Sequence, residues 1–376
     1  MDKKTAAIQE LSAKASEAST RSVLVGLDGF VDTIINPVDR RFGPGDNYEP
    51  IREMAAFGNR IVAAAGKSTN IEMGKITEKL GGNGPILANA VLAAGFPTRY
   101  VGALGIPEIH PVFKDMAAKT DAVSLAEPGV TYALEFKDGK VMLGLMDSLE
   151  EVTYSKVLEK MGEGAFFDLL SRTDLFAVVN WTMLPFLTGF LQSLIDQVYP
   201  NLGPRDHRSF FFDLADPAKR SDGDLVGVLR LLGRFCAFGS TTLGLNLSEA
   251  QHVSRVLGLP SGHGNEEDIR GMARSIRSEI GVDCVVVHPL DCAACATKED
   301  TFYTDGFFTA DPTITTGGGD HFNAGFVAAR LLGLSPDSAL VIGCAFSGYY
   351  VRSAESPSLG AIGAFLQNTE FATLPS

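Results

Sequence analysis

The residues best placed to do chemistry form one run, Thr315-Thr316-Gly317-Gly318-Gly319-Asp320, which leads into the apolar-periodic segment His321-Phe322-Asn323-Ala324-Gly325-Phe326. Phe322, Phe326, Ala329 and Leu332 recur at helical spacing, so the pattern predicts a helix over about 320–332, stopped by Gly333. Such a helix turns its positive end toward the glycines. With no side chains to shield them, the amides of Gly317, Gly318 and Gly319 can point together at an anionic oxygen, and a phosphate suits that place. Asp320 repels a bound anion unless it has a task of its own, such as accepting a proton from an attacking hydroxyl. A phosphate cradle beside a base is the equipment of phosphoryl transfer. The competing reading is plainer: Asp320 caps the helix and the glycines make a tight turn.

Other polar groups fall where a site would need them. The apolar stretch 21–27 reads as a buried strand and is followed at once by Asp28-Gly29-Phe30-Val31-Asp32, at the kind of strand end where ligands of open α/β sheets sit. Either carboxylate is also an ordinary turn residue. Gly81-Gly82-Asn83-Gly84-Pro85 follows an alternating segment over about 70–80 and precedes a helix over about 86–94, making a second glycine loop that feeds a helix. Cys292-Ala293-Ala294-Cys295, with Cys284 and His288 upstream, invites a zinc or redox reading. Without a second such pair, these cysteines read better as small buried hydrophobes.

The run TTGGGDHFNAGF resembles the signature of the ribokinase-like, or PfkB-type, carbohydrate kinases, DTTGAGDxFxxGF. The resemblance implies a three-layer αβα fold with a mostly parallel sheet and a small β lid. It also implies an ATP- and Mg²⁺-dependent transfer to a hydroxyl of a sugar or nucleoside. Asp320 would be the catalytic base and Gly317, Gly318 and Gly319 the anion hole. Ile314 stands where the family has its first Asp, so the monovalent-cation site of some members is not implied. By the same resemblance Asp32, or failing it Asp28, would hold sugar hydroxyls, and Gly81, Gly82 and Asn83 would lie against the sugar. Ile86 takes the place of a familiar asparagine contact. Asn246-Leu247-Ser248-Glu249 matches the family's Asn-x-x-Glu. An amide and a carboxylate at that spacing can hold the water shell of Mg²⁺, and they equally suit a helix capping box. Asp213, in FFDLADPAKR, resembles the family's Asp-Pro strand end. The loop from His288 to Cys295 departs from the family, lacking the glycines that line the nucleotide there.

These groups need elements to hold them. Strand-sized apolar runs alternate with helical ones from Leu175 onward, the rhythm of βαβ units and a parallel sheet covered on both faces. Segments 131–136 and 141–145 flank Asp138-Gly139 and predict a hairpin. With segments 33–45 and 70–80, the stretch 129–146 would make the family's lid, which can also pair two copies into a homodimer. The 376 residues suffice for this as a single kinase domain over 1–376. A net charge of −13 argues against a nucleic-acid or anionic-membrane partner. The N-terminus shows no signal-peptide core, no run of 18 apolar residues occurs, and the five cysteines are odd in number, so the expected location is cytoplasmic. Two alternatives remain at this point: a sugar- or nucleotide-binding regulator on the same fold, and a dinucleotide-dependent oxidoreductase. The latter is disfavoured because no GxGxxG follows the first strand.

Overall fold

The computed structural model describes residues 2–374; Met1, Pro375 and Ser376, the ends of the 1–376 domain expected from sequence, lie outside the described residues. In chain order the strands are β1 (Val23–Leu27), β2 (Phe30–Arg41), β3 (Tyr48–Pro50), β4 (Met73–Gly81), β5 (Thr98–Gly102), β6 (Val123–Ser124) and β7 (Gly129–Phe136). They continue as β8 (Gly139–Leu145), β9 (Leu175–Val178), β10 (Ser209–Asp213), β11 (Ser240–Leu245), β12 (Cys284–Val287), β13 (Cys292–Ala296) and β14 (Thr301–Asp305).

The apolar runs pair into a nine-stranded sheet of order β14-β13-β12-β11-β10-β9-β1-β5-β6. It is parallel from β6 to β12 and antiparallel only at the β13 and β14 edge. Because side chains alternate along a strand, Phe210 and Phe212 enter the core on one face while Phe211 enters the other. Helices Asp222–Arg234, Leu247–Val256 and Glu266–Ile280 cover the first face. Helices Lys3–Lys14, Asn83–Ala93, Gly318–Leu331 and Pro336–Ser353 cover the second, which completes the three layers. Among the described residues no helix is long and apolar enough to cross a membrane.

Parallel order brings one end of every strand to one edge of the sheet. The residues that follow the strands there are polar in spatial sequence: His288 after β12, Asn246 after β11, Asp213 closing β10, Asn180 beyond β9 and Asp28 after β1. The register fixes them side by side, with Gly26 opposite Val178, Val178 opposite Phe212, and Leu245 opposite Val287. A fold that buries its apolar runs thus collects its polar residues at a single rim.

The second sheet leaves this rim directly, since Asp28 and Gly29 alone separate β1 from β2. Strand β2 pairs antiparallel with β4 and parallel with β7, and β7 carries the hairpin partner β8 across the turn at Asp138. Asp138 Oδ1 also accepts from Met54 N at 2.9 Å and ties the hairpin to helix Met54–Val62. The segments expected at 33–45, 70–80 and 129–146 overlap β2, β4 and the β7–β8 hairpin, though β2 starts three residues earlier and ends at Arg41 and β4 starts at Met73. One face of the hairpin shows Tyr132, Leu143 and Leu145 to solvent, with Tyr132 paired to Leu143.

The helix boundary at the glycine run differs from the sequence reading for a local reason. The helix expected from residue 320 starts at Gly318, because Gly317 takes the left-handed conformation (φ 93°) that only glycine adopts readily and closes the loop there. The first helix ends at Lys14 and tightens into a 3₁₀ turn over Ala15–Thr20. Strand β8 is exposed or half-buried along its whole length, whereas β9 to β12 are almost wholly buried. Amide exchange should therefore be much faster in Gly139–Leu145 than in Cys284–Val287, as local openings cost least where few apolar contacts are broken. Native-state hydrogen exchange checks this; equal protection of the two strands would mean that the small sheet is cooperative with the large one.

Candidate active site

The site is built on Asp28. Burial pushes its carboxyl up to about 6, against donors that pull it back down. Its Oδ1 accepts from Gly84 N at 2.9 Å, and its Oδ2 accepts from Asn83 N at 3.0 Å and from Asn180 Nδ2 at 2.7 Å. The helix Asn83–Ala93 has Gly82 at its N-cap, without a capping side chain of its own. Asp28 satisfies two of its free amides from outside. The sequence offered Asp28 as a second substrate carboxylate; fully buried and engaged by three protein donors, it holds the glycine loop instead.

That loop joins two further candidates. Gly81 runs so close to Asp32 that a Cβ there would sit 2.5 Å from the carboxyl group. Two residues on, Asn83 Nδ2 donates to Asp320 Oδ1 at 2.9 Å. Because two residues span at most about 7 Å, Asp32 and Asp320 face one small region. Asp32 pairs in register with Lys79 on one side and Thr131 on the other. Burial raises its pKa, while the Lys79 charge and the Thr131 hydroxyl oppose the rise.

Asp320 does not cap its helix: Gly317 is the N-cap residue, and Asp320 sits in the first turn with its carboxylate held by Asn83. The capping part of the plainer sequence reading therefore fails in this structure, while the turn it expected at the glycines is present. Burial raises the Asp320 carboxyl to about 8; the Asn83 bond lowers it, and the charges of Asp28 and Glu249 raise it further. One turn later Asn323 Nδ2 donates to Asp213 Oδ2 at 2.9 Å. The Asp213 carboxyl is held well above its usual range by burial first, then by Glu249 and Asp320.

Asn246 and Glu249 form the reciprocal capping box, with Glu249 N donating to Asn246 Oδ1 at 3.0 Å and Asn246 N donating to Glu249 Oε2 at 2.9 Å. Asp216 N donates to Glu249 Oε1 at 2.8 Å. Burial raises the Glu249 carboxyl against these bonds. The two remaining cradle glycines, Gly318 and Gly319, line a cleft of about 860 Å³ together with Asn246, His288, Phe322 and Cys344. A slightly larger cavity of about 910 Å³ opens at the opposite end of the sheet beside Arg208 and Arg330, and none of these site residues lines it.

A brace behind the cradle was not visible in the sequence. His321 Nδ1 donates to Gly317 O at 2.7 Å, since a carbonyl only accepts, which leaves Nε2 to accept from Ser356 Oγ at 2.9 Å. Tyr350 stacks on His321 at 3.5 Å between ring centroids and donates to Thr316 O. Burial depresses the His321 pKa to about 4, so the imidazole stays neutral near pH 7. Asn323 was also missed, although a polar residue three positions after Asp320 inside an apolar helix was a usable signal. Cys284, Cys292 and Cys295 are buried free thiols, and no cluster of three or more metal-ligating side chains occurs among the described residues. Cys292 and Cys295 enter opposite faces of the sheet, so the pair does not converge on one zinc ion.

A nine-stranded, largely parallel sheet with a small sheet at its rim, a glycine cradle at a helix start and a buried carboxylate beside it define a ribokinase-like carbohydrate kinase. Solved structures share the fold. A carbohydrate kinase from Agrobacterium tumefaciens superposes with TM-score 0.64 at 17% identity, covering 94% of this chain and 99% of that one. The Arabidopsis thaliana ribokinase complexed with ribose and ATP gives 0.63 at 15% identity, covering 92% and 98%. A ketohexokinase from Haloferax volcanii is 26% identical over 345 residues, 91% of this chain and 90% of that protein. The model of the prokaryotic ketohexokinase family matches residues 2–369, and the chain belongs to that family. The dinucleotide oxidoreductase alternative falls away.

A carboxyl whose pKa is raised from 3.8 to about 8 holds its proton in the folded state while the unfolded chain releases it. Its presence therefore lowers stability progressively as pH rises from about 4 to about 8. Asp320→Asn keeps the shape and removes that cost, so it should stabilise the protein, by about 2 kcal/mol or more at pH 8 and by little at pH 4. Denaturant melts of both proteins at the two pH values measure the difference. A variant less stable than the wild type at pH 8 would contradict the burial argument.

Proposed function

We propose that this carbohydrate kinase transfers the terminal phosphoryl group of ATP to a hydroxyl of a ketohexose, with Asp320 as the general base. One observation carries the reading: a buried carboxylate, poised near neutrality, stands in the first helical turn between a glycine cradle that opens on the cleft and a loop that reaches Asp32. The nucleotide occupies the cleft with its phosphates toward Gly318 and Gly319, and the sugar lies on the side of Asn83 and Asp32. Asp32 accepts hydrogen bonds from sugar hydroxyls. Lys79 favours its ionised, purely accepting form.

As the sugar oxygen attacks phosphorus, its O–H bond breaks and the proton passes to Asp320. The new O–P bond forms while the bond to the departing diphosphate breaks. A base works best when its pKa lies near the working pH, and burial has moved Asp320 there. The amides of Gly317, Gly318 and Gly319 stabilise the charge on the moving group. The small sheet closes over the sugar and keeps water from taking its place. Its exposed Tyr132, Leu143 and Leu145 suit pairing with a second copy of the chain.

The residues also fit Mg²⁺. Asp213, Glu249 and Asp320 crowd negative charge at the rim, and each has its carboxyl raised. Mg²⁺ keeps most of its water when bound, and Asn246 and Glu249 would hold that water shell. Bound there, it would neutralise phosphate charge.

Given ATP and a ketohexose, the purified protein should form ADP and a ketohexose phosphate. Asp320→Asn should lower the single-turnover rate by roughly 10²–10⁴-fold while both ligands still bind, because only the proton acceptor changes. Rapid-quench measurement with saturating substrates decides it. A rate close to wild type would remove Asp320 from the mechanism.

A further inference from the structure

His288 follows β12 at the polar rim, where His288 N donates to Leu245 O at 2.9 Å. Its side chain lines the cleft and is over nine-tenths buried. The ring lies on the Phe322 ring with centroids 4.6 Å apart and planes at 26°, so its plane is fixed. Its Cε1 edge faces the cradle, and a Cβ on Gly319 would sit 3.5 Å from that atom. Nε2, bonded to that carbon, is buried and has no hydrogen-bond partner.

A buried donor or acceptor left alone costs about 1–3 kcal/mol. A half-turn of the ring about Cβ–Cγ exchanges Nε2 with Cε1 and Nδ1 with Cδ2, and leaves the ring plane, and with it the stack on Phe322, unchanged. After the turn the nitrogen faces Gly319, and a carbon occupies the place where no partner exists. What the nitrogen needs at the cradle is an acceptor. A bound ligand can supply that acceptor, and an anion suits a place beside the Gly319 amide at the helix start. The next residue, Pro289, has no N–H to offer, and no glycine lies between it and Cys295 to present a main-chain donor freely. Burial also lowers the His288 pKa to about 4, which leaves a neutral imidazole able to donate one N–H near pH 7.

We propose that His288 contacts the phosphate chain of the nucleotide, turning its ring on binding so that Nε2–H donates to a phosphate oxygen held by the Gly317–Gly319 cradle. His288 thereby discriminates between phosphorylated nucleotides and the bare nucleoside. The inference rests on the proposed placement of the nucleotide in this cleft.

Calorimetry with ADP and with adenosine on the wild type, His288→Leu and His288→Gln separates the claims. The leucine removes the donor; the glutamine can place an amide N–H near the position of Nε2. We expect His288→Leu to weaken ADP binding roughly 10- to 100-fold, the range for a hydrogen bond to a charged group. Adenosine binding should stay unchanged, and His288→Gln should recover most of the loss. Unchanged ADP affinity in His288→Leu, or equal weakening of ADP and adenosine, overturns the proposal while leaving the kinase reading intact. A wild type that binds no ADP overturns the kinase reading as well. ¹⁵N-histidine NMR on the wild type needs no variant. ADP should produce a slowly exchanging His288 Nε2–H signal coupled to ³¹P, and a spectrum that ADP leaves unaltered overturns the contact.

Discussion

The hydrogen bond from Asn83 to Asp320 is the constraint on which the site depends, because it locks two distant glycine loops to each other. Asn83 belongs to the loop that leaves the small sheet, and Asp320 to the cradle 237 positions later. Asp28 sets the first loop by accepting from Asn83 N and Gly84 N, and His321 with Tyr350 sets the second by gripping Gly317 O and Thr316 O. The Asn83 bond joins two side chains, and the other ties run from a side chain to main-chain groups in the first turn of a helix or in the loop before one. The same residue thus orients the proposed base and shapes the floor on which its substrate would rest.

The sheet explains why so many carboxylates meet. Parallel strands buried on both faces can end in polar residues only where their ends reach solvent, and all those ends share one rim. Asp28, Asp213, Glu249 and Asp320 are gathered there with little cationic compensation, and each is shifted upward. Such an arrangement lowers the stability of the empty protein and suits one that takes up a phosphate chain with its counter-ion. The small sheet shows the other side of this balance: many side chains of β4 and β8 stay exposed, where the proposed closure would meet a ligand or a second subunit.

Much of this was legible in the sequence. The βαβ rhythm, the hairpin at Asp138-Gly139 and the glycine turn that opens the helix at Gly318 rest on local signals, namely periodicity, turn chemistry and motif spacing, and the structure has these elements close to where the residues imply them. The role of Asp28 was not legible, since a carboxylate after a strand looks alike whether it meets a ligand or a helix amide, and only its complete burial tells them apart. The His321–Tyr350–Ser356 brace joins residues whose contact depends on how two helices cross, which no short window reports. Asn246 and Glu249 show the limit of spacing arguments from the opposite direction. The capping box forms as the spacing allows, and the ion-holding role read from the same spacing belongs to the proposed function.

The central claim is that burial tunes Asp320 into a base, and the pH dependence of kcat/KM for the ketohexose tests it most directly. In the free enzyme the carboxyl must lose its proton before it can take one from the sugar. With its pKa pushed up to about 8, kcat/KM should rise close to tenfold per pH unit below that value and level off above it. A profile that is flat from about pH 5 to pH 9 would show that no group with a raised pKa must ionise, and Asp320 could not then be a base tuned by its burial.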